Sequence, residues 1–158
     1  MEYREFRKDD YDGLKRLVAG LQEFFVQMDD EYRGFSDVDA GKYLDEIIGD
    51  VESKNGKMYL AVDNGNLVGF IQGVVIEKDD LQHVPQREGW IGLLYVEDRY
   101  RNKNVGNELM MRMREFFRSE NCDSVKLFCS NANVGALEFY KKVGFEVSNV
   151  ELKLKESL

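Results

Sequence analysis

A chain of 158 residues has the length of one ordinary domain, long enough to bury a continuous core and too short to hold two comfortably. Hydrophobic residues make up 43% and charged residues 33%, and no unbroken apolar stretch approaches the ~18 residues that a membrane-spanning helix needs. The net charge of −8 argues against a nucleic-acid partner, whose affinity would rest on clustered Lys and Arg.

The elements follow from periodicity. Glu2 to Arg7 reads as a short first strand, and Leu14, Leu17, Val18, Leu21, Phe25 and Met28 recur at helical spacing behind it. Asp37 is the expected N-cap of a second helix with the apolar stripe Ala40, Leu44, Ile47, Ile48 and Val51. Met58 to Val62 and Leu67 to Ile76 flank Asn64-Gly65, a strong hairpin signal because both residues accept positive φ. Trp90 to Val96 is a mostly apolar run, expected as a central strand buried on both faces. Val105, Leu109, Met113, Phe116 and Phe117 give a third helix and Val125 to Cys129 a buried strand. Val134, Leu137, Phe139, Tyr140 and Val143 give a fourth helix, which Gly144 closes as a left-handed cap. Phe145 to Val147 and Val150 to Leu154 are expected to complete the sheet as a late strand pair. The expectation is α/β (α+β), a mixed sheet of about six to seven strands flanked by about four helices. No repeat, low-complexity tract or linker divides residues 1–158, so they read as one domain.

Charge is unevenly spread. From Asp29 to Glu52 there are nine acids against two bases, whereas from Asp98 to Arg118 there are six bases against three acids. This suits a phosphate-bearing ligand at the basic region and a cation elsewhere. Cys122 and Cys129 lack the spacing of a metal knuckle, and with His83 the sole histidine no zinc site or other metal is expected. Both thiols are expected to be reduced. Met1 to Asp10 is charged where a secretory signal needs an apolar core, so the expectation is a cytoplasmic protein without a membrane partner.

The segment from Tyr95 to Leu109 runs from a central strand through a turn of residues tolerant of left-handed backbone into a helix start. Such a turn aims backbone N–H groups at one spot, with the helix dipole behind them and Arg101 and Lys103 beside them, an anion site suited to a pyrophosphate. Here the sequence resembles the GNAT superfamily of N-acetyltransferases, whose pyrophosphate loop is Arg/Gln-x-x-Gly-x-Gly/Ala after an apolar-aromatic-Val strand end. In this chain the loop is Arg101-x-x-Asn104-x-Gly106, with Asn102 and Asn104 where relatives commonly carry Gly. A second signature, Asn133 to Phe145, follows the family's Asn-x-x-Ala-x-x-Phe-Tyr-x-Lys-x-Gly-Phe. The resemblance covers roughly residues 57 to 147 well, and the two N-terminal helices match in order and length.

The resemblance implies acetyl-coenzyme A as co-substrate and a primary amine as acceptor, with residues 57–158 forming the cofactor-binding core and residues 1–56 facing the substrate. It implies that Leu94, Tyr95 and Val96 carry the strand edge that pairs with pantetheine and supplies an oxyanion N–H. Arg101, Asn102, Lys103, Asn104, Val105, Gly106 and Asn107 would hold the pyrophosphate, Asn133 would bind the cofactor through its amide, and Tyr140 would be the proton donor to the departing thiolate. Many relatives carry a glutamate four residues before the Val, but that place is Gly92. Glu88, Glu77 and His83 stay open as the base or its link through water, each otherwise read as an exposed loop or strand-end residue. Phe25, Asp29, Tyr32 and Glu88 are candidate acceptor contacts, and the surrounding carboxylates favour a cationic small molecule or a peptide amine. The competing class is a GNAT-like module that binds an acyl-coenzyme A without turnover. A homodimer paired through Val150 to Leu154 is a candidate assembly.

Overall fold

The computed structural model describes residues 1–82, 84 and 86–154. By its internal contacts the chain divides into two compact units, Met1–Phe128 and Cys129–Leu158.

The first unit is built on a five-stranded sheet in sequential order: β1 (Glu2–Glu5), β2 (Gly56–Asp63), β3 (Asn66–Lys78), β4 (Gln86–Val96) and β5 (Ser124–Leu127). The first four pair antiparallel and β5 joins β4 in parallel, so the sheet is mixed. Asn64 (φ 48°) and Gly65 (φ 80°) turn β2 into β3, as the dipeptide predicts. Helices α1 (Tyr11–Met28) and α2 (Ala40–Ser53) precede the hairpin, and α3 (Val105–Ser119) links β4 to β5.

Pleating sends alternate residues to opposite faces. Met58, Leu60 and Phe70 join Leu14, Leu17, Val18, Leu21, Leu44 and Ile47 in one core under α1 and α2. On the other face, Gly73 and Gly89 let α3 lie against the strands, because a Cβ at either would meet the Phe117 ring at 2.7 and 2.5 Å. Arg4 on β1 holds Asp10, ahead of α1, through two bonds of 2.7 Å, tying the first strand to the first helix.

Several boundaries differ from expectation. The first strand ends at Glu5, not Arg7. Asp39, not Asp37, caps α2, accepting the Lys42 N–H at 3.0 Å, because residues Asp30–Asp37 form a 3-10 segment of their own. β4 is not buried on both faces: Leu93 to Val96 are half-buried and Gly92 is exposed, since pairing to β5 ends at Ile91 opposite Leu127. β5 stops before Phe128, which is exposed, and its four residues are half-buried.

In the second unit, α4 (Val134–Lys142) starts on Asn133, whose side chain accepts the Ala136 N–H at 3.2 Å. It ends on Gly144 (φ 99°), with Gly144 N–H to Lys141 O at 3.1 Å and Phe145 N–H to Tyr140 O at 2.9 Å, the paired bonds of a left-handed helix stop. The expected strand pair Phe145–Val147 and Val150–Leu154 is not formed; residues 145–154 carry no strand, and Val147, Val150, Leu152 and Leu154 are exposed. Alternating apolar residues make a strand only where an edge accepts their backbone bonds. The described sheet therefore has five strands, and the segment read as a dimer edge is not one.

Candidate active site

The site grows from the place where β4 outruns β5. Beyond Ile91 one edge of β4 has no strand partner among the described residues, while the other stays paired to β3 up to Val96 opposite Gly69. Glu97 N–H donates to Val68 O at 2.9 Å. Antiparallel alternation then turns Tyr95 toward β3 and directs the N–H and C=O of Leu94 and Val96 to the free edge. Val96 O is taken by Arg101 Nε at 3.0 Å, which leaves three backbone groups of this pair for an extended ligand.

Past Val96 the chain makes a short 3-10 turn, Asp98–Tyr100, then crosses two left-handed residues, Asn102 (φ 58°) and Asn104 (φ 65°), into α3. Asparagine tolerates this backbone at less cost than other residues with a Cβ, so the loop holds its two left-handed positions without glycine. Asn107 Nδ2 donates to Asn104 Oδ1 at 2.7 Å, and Glu108 N–H bonds Asn104 O at 3.1 Å as the first turn closes. The N–H groups of Val105, Gly106 and Asn107 lie ahead of that bond at the positive end of the helix dipole, the donor set a phosphate needs.

Arg101 points elsewhere. Its guanidinium pairs with Asp98 at 2.9 Å and stacks over Phe24 at 5.0 Å and Tyr95 at 5.9 Å. Lys103 lies over the Tyr100 ring at 5.7 Å. Both cations flank the loop, with Arg101 committed to the α1 side. Between α1 and the end of β4 an open cleft of about 540 Å³ is lined by Gly20, Glu23, Phe24, Gln27, Tyr95, Glu97, Asp98 and Arg99. Glu23 was missed from sequence; its signal is that residues 20, 23, 24 and 27 share one helix face beside the buried stripe of α1. Glu97 is held by Arg16 and Arg99.

The candidate acceptor residues are only partly brought together. Phe25 and Tyr32 stack at 4.8 Å, with Phe25 also packed on the core, and Asp29 caps the 3-10 segment through the Glu31 N–H at 3.0 Å. Glu88 lies at the opposite end of β4 from Tyr95. It is 2% exposed, not a surface residue as expected, and is bonded to Lys126 Nζ and, at 3.0 Å, to Trp90 Nε1. Burial would raise its carboxyl, but the bonds from Lys126 and Trp90 outweigh it and hold the group below its ordinary range. An ion so held is a poor proton acceptor near neutral pH. Glu77 is exposed and pairs with Arg87 at 3.0 Å; His83 lies outside the described residues.

In the second unit, Asn133 spends its amide oxygen on capping α4. Tyr140 stacks edge-on to Phe139 and Phe145, at 5.4 and 5.8 Å. Burial, aided by Cys129, pushes its phenol well above the ordinary value, so it keeps its proton across the working range of pH. Among the described residues no group of His, Cys, Asp or Glu could hold a metal ion, and no helix is long and apolar enough to cross a membrane.

The model of the acetyltransferase (GNAT) family matches residues 21–145, and the chain belongs to that family. It is 32% identical over 88 residues to N-alpha-acetyltransferase 30 of Saccharomyces cerevisiae, a match covering 55% of this chain and 50% of that protein. It is 26% identical over 144 residues to the probable N-acetyltransferase camello of Xenopus tropicalis, covering 88% of this chain and 61% of the other. The chain thus spans half or less of the length of the N-alpha-acetyltransferases it matches first. Among solved structures, a mutant of the BH1408 protein of Bacillus halodurans superposes with a TM-score of 0.83 at 17% identity, covering 99% of this chain and 100% of that one. An aminoglycoside N-acetyltransferase, AAC(6')-Iy in complex with CoA, superposes with a TM-score of 0.72 at 13% identity, covering 99% and 100%. These two likenesses speak for the fold.

Proposed function

We propose that residues 1–158 form one acetyl-coenzyme A-dependent N-acetyltransferase domain of the cytoplasm that acetylates a primary amine, on a peptide N-terminus or a cationic small molecule. The observation that carries this reading is the continuity of a free β4 edge, through two left-handed asparagines, into the open N-terminus of α3. The free groups of Leu94 and Val96 pair with the amides of the pantetheine arm, and the N–H groups of Val105, Gly106 and Asn107 hold the pyrophosphate. Asn102, Asn104 and Lys103 shape its rim. Tyr140 serves as a hydrogen-bond donor to the departing thiolate; its raised phenol makes full proton transfer to a thiol of pKa ~8.5 unfavourable. Asn133 touches the cofactor through its amide NH₂, since its oxygen is used. The name of the yeast relative supports a peptide amine and that of the CoA-bound neighbour an aminoglycoside; the carboxylates beside α1 suit either cation.

Calorimetric titration with acetyl-coenzyme A tests this. Submillimolar binding by wild type, abolished in Gly106→Glu, supports the phosphate site, and thiol release with an amine panel, slowed in Tyr140→Phe, supports transfer. No binding by wild type overturns the reading. A second reading, an acyl-coenzyme A sensor without turnover, is favoured by the sequestered Glu88 and by Gly92 at the usual place of a carboxylate. Its signature is tight binding with no thiol release from any amine.

A further inference from the structure

Gln72 lies on β3 opposite Leu93, beside the irregularity between Gln72 and Gly73 that leaves Gly92 as the extra residue of β4. By pleat alternation its side chain shares the α1/α2 face with Phe70. The residue is 5% exposed; among the described residues its amide has no protein hydrogen-bond partner, and the amide atoms keep the little solvent contact the residue has. An amide with no partner inside the protein and an opening to solvent has its donors and acceptor available to a ligand. Its position is informative: a Cβ built at Gly92 would stand 2.2 Å from Gln72 Oε1, so the amide fills the side-chain space of residue 92. Ile91, one residue earlier, is the last to pair with β5. The Gln72 amide therefore reaches the fork at which the free edge of β4 begins.

We propose that Gln72 is the group that positions the attacking nitrogen, its Oε1 accepting an N–H from the acceptor amine at this fork. The inference rests on the transferase reading above. An uncharged amide orients the lone pair but takes no proton. The amine must then arrive as free base: its lone pair adds to the thioester carbonyl, forming the N–C bond and a tetrahedral oxyanion, the surplus N–H proton leaves to water, the carbonyl re-forms as the C–S bond breaks, and the thiolate takes its proton from solvent. The enzyme thus adds no acidic limb of its own to the pH profile, and kcat/KM climbs tenfold per pH unit up to the pKa of the amine.

The test uses the intact chain and two variants, with thermal melts as a check on folding. With whichever panel amine is turned over, a tetrapeptide with a free N-terminus or spermidine, Gln72→Leu should lower kcat/KM by about 10- to 100-fold while the acetyl-coenzyme A Kd holds. Gln72→Glu, which places a carboxylate at the fork, should flatten the profile below the amine pKa, a change that a merely structural glutamine would not produce. Independently of any acceptor, the Gln72 side-chain amide signals in ¹⁵N NMR should move with acetyl-coenzyme A and less with coenzyme A. Wild-type kcat/KM in Gln72→Leu, an unaltered profile in Gln72→Glu, or unmoved Gln72 signals when the Val105 and Gly106 amides have shifted overturns this proposal alone. If those backbone amides also stay unmoved, the transferase reading falls with it.

Discussion

Glu88 illustrates how a single buried group is decided by its partners. Its carboxylate gives one oxygen to Lys126 on β5 and the other to the Trp90 indole, so it clasps the two strands just before they part. Removing its charge strands a cation that is 31% exposed, a milder case than a fully buried pair. Glu88→Gln should therefore cost about 1–3 kcal/mol, read as a lower urea midpoint at constant slope. Adding Lys126→Met should recover part of the loss, because the unpaired charge goes with it. At the same scale Tyr140 should resist ionisation: its ultraviolet titration is expected above that of the exposed tyrosines, because burial disfavours the phenolate.

The loop into α3 depends on backbone that few side chains accept. Asn104→Ala forfeits both the tolerance of asparagine for left-handed φ and the 2.7 Å bond from Asn107, and should cost about 1–2 kcal/mol in stability. Asn104→Gly should keep the conformation and match or improve acetyl-coenzyme A affinity in calorimetry, since nothing then projects over the N–H groups. This loop was legible in the sequence because Asn102 and Asn104 announce their left-handed backbone through residue type. The hairpin at Asn64-Gly65 and the four α-helices were legible for the same local reasons. What escaped depends on partners distant in sequence. The half-exposure of Leu93 to Val96 follows from β5 ending at Leu127, and the alternation at 145–154 has no described ladder to join. Glu88 looked like a surface acid because its partner, Lys126, stands 38 positions further on. Gln72 gave no signal at all, since its meaning comes from a glycine on the neighbouring strand.

Across the molecule, the acid limit of stability should be set by carboxylates held low in the folded state. The hydrogen bond from Arg4 holds Asp10 below its ordinary value against the opposing effect of burial, helped by the Arg7 backbone N–H. Glu88 is also held low, by Lys126 and Trp90 against burial. In the unfolded chain both groups take up protons near pH ~4, so their stabilisation is complete above that pH and is lost as pH falls through the lower folded values. Melting temperature should change little from pH 7 to 5 and drop below 4, and the drop should be shallower in Asp10→Asn, whose wild-type advantage at neutral pH is already gone. Trp90, the one tryptophan in the chain, stands at the point where β4 and β5 separate, with its ring 5.0 Å from that of Phe128. The protein therefore carries a built-in optical gauge: its whole indole emission comes from the fork, and a ligand wedged between the strands should shift the emission maximum or quench it without any label being attached.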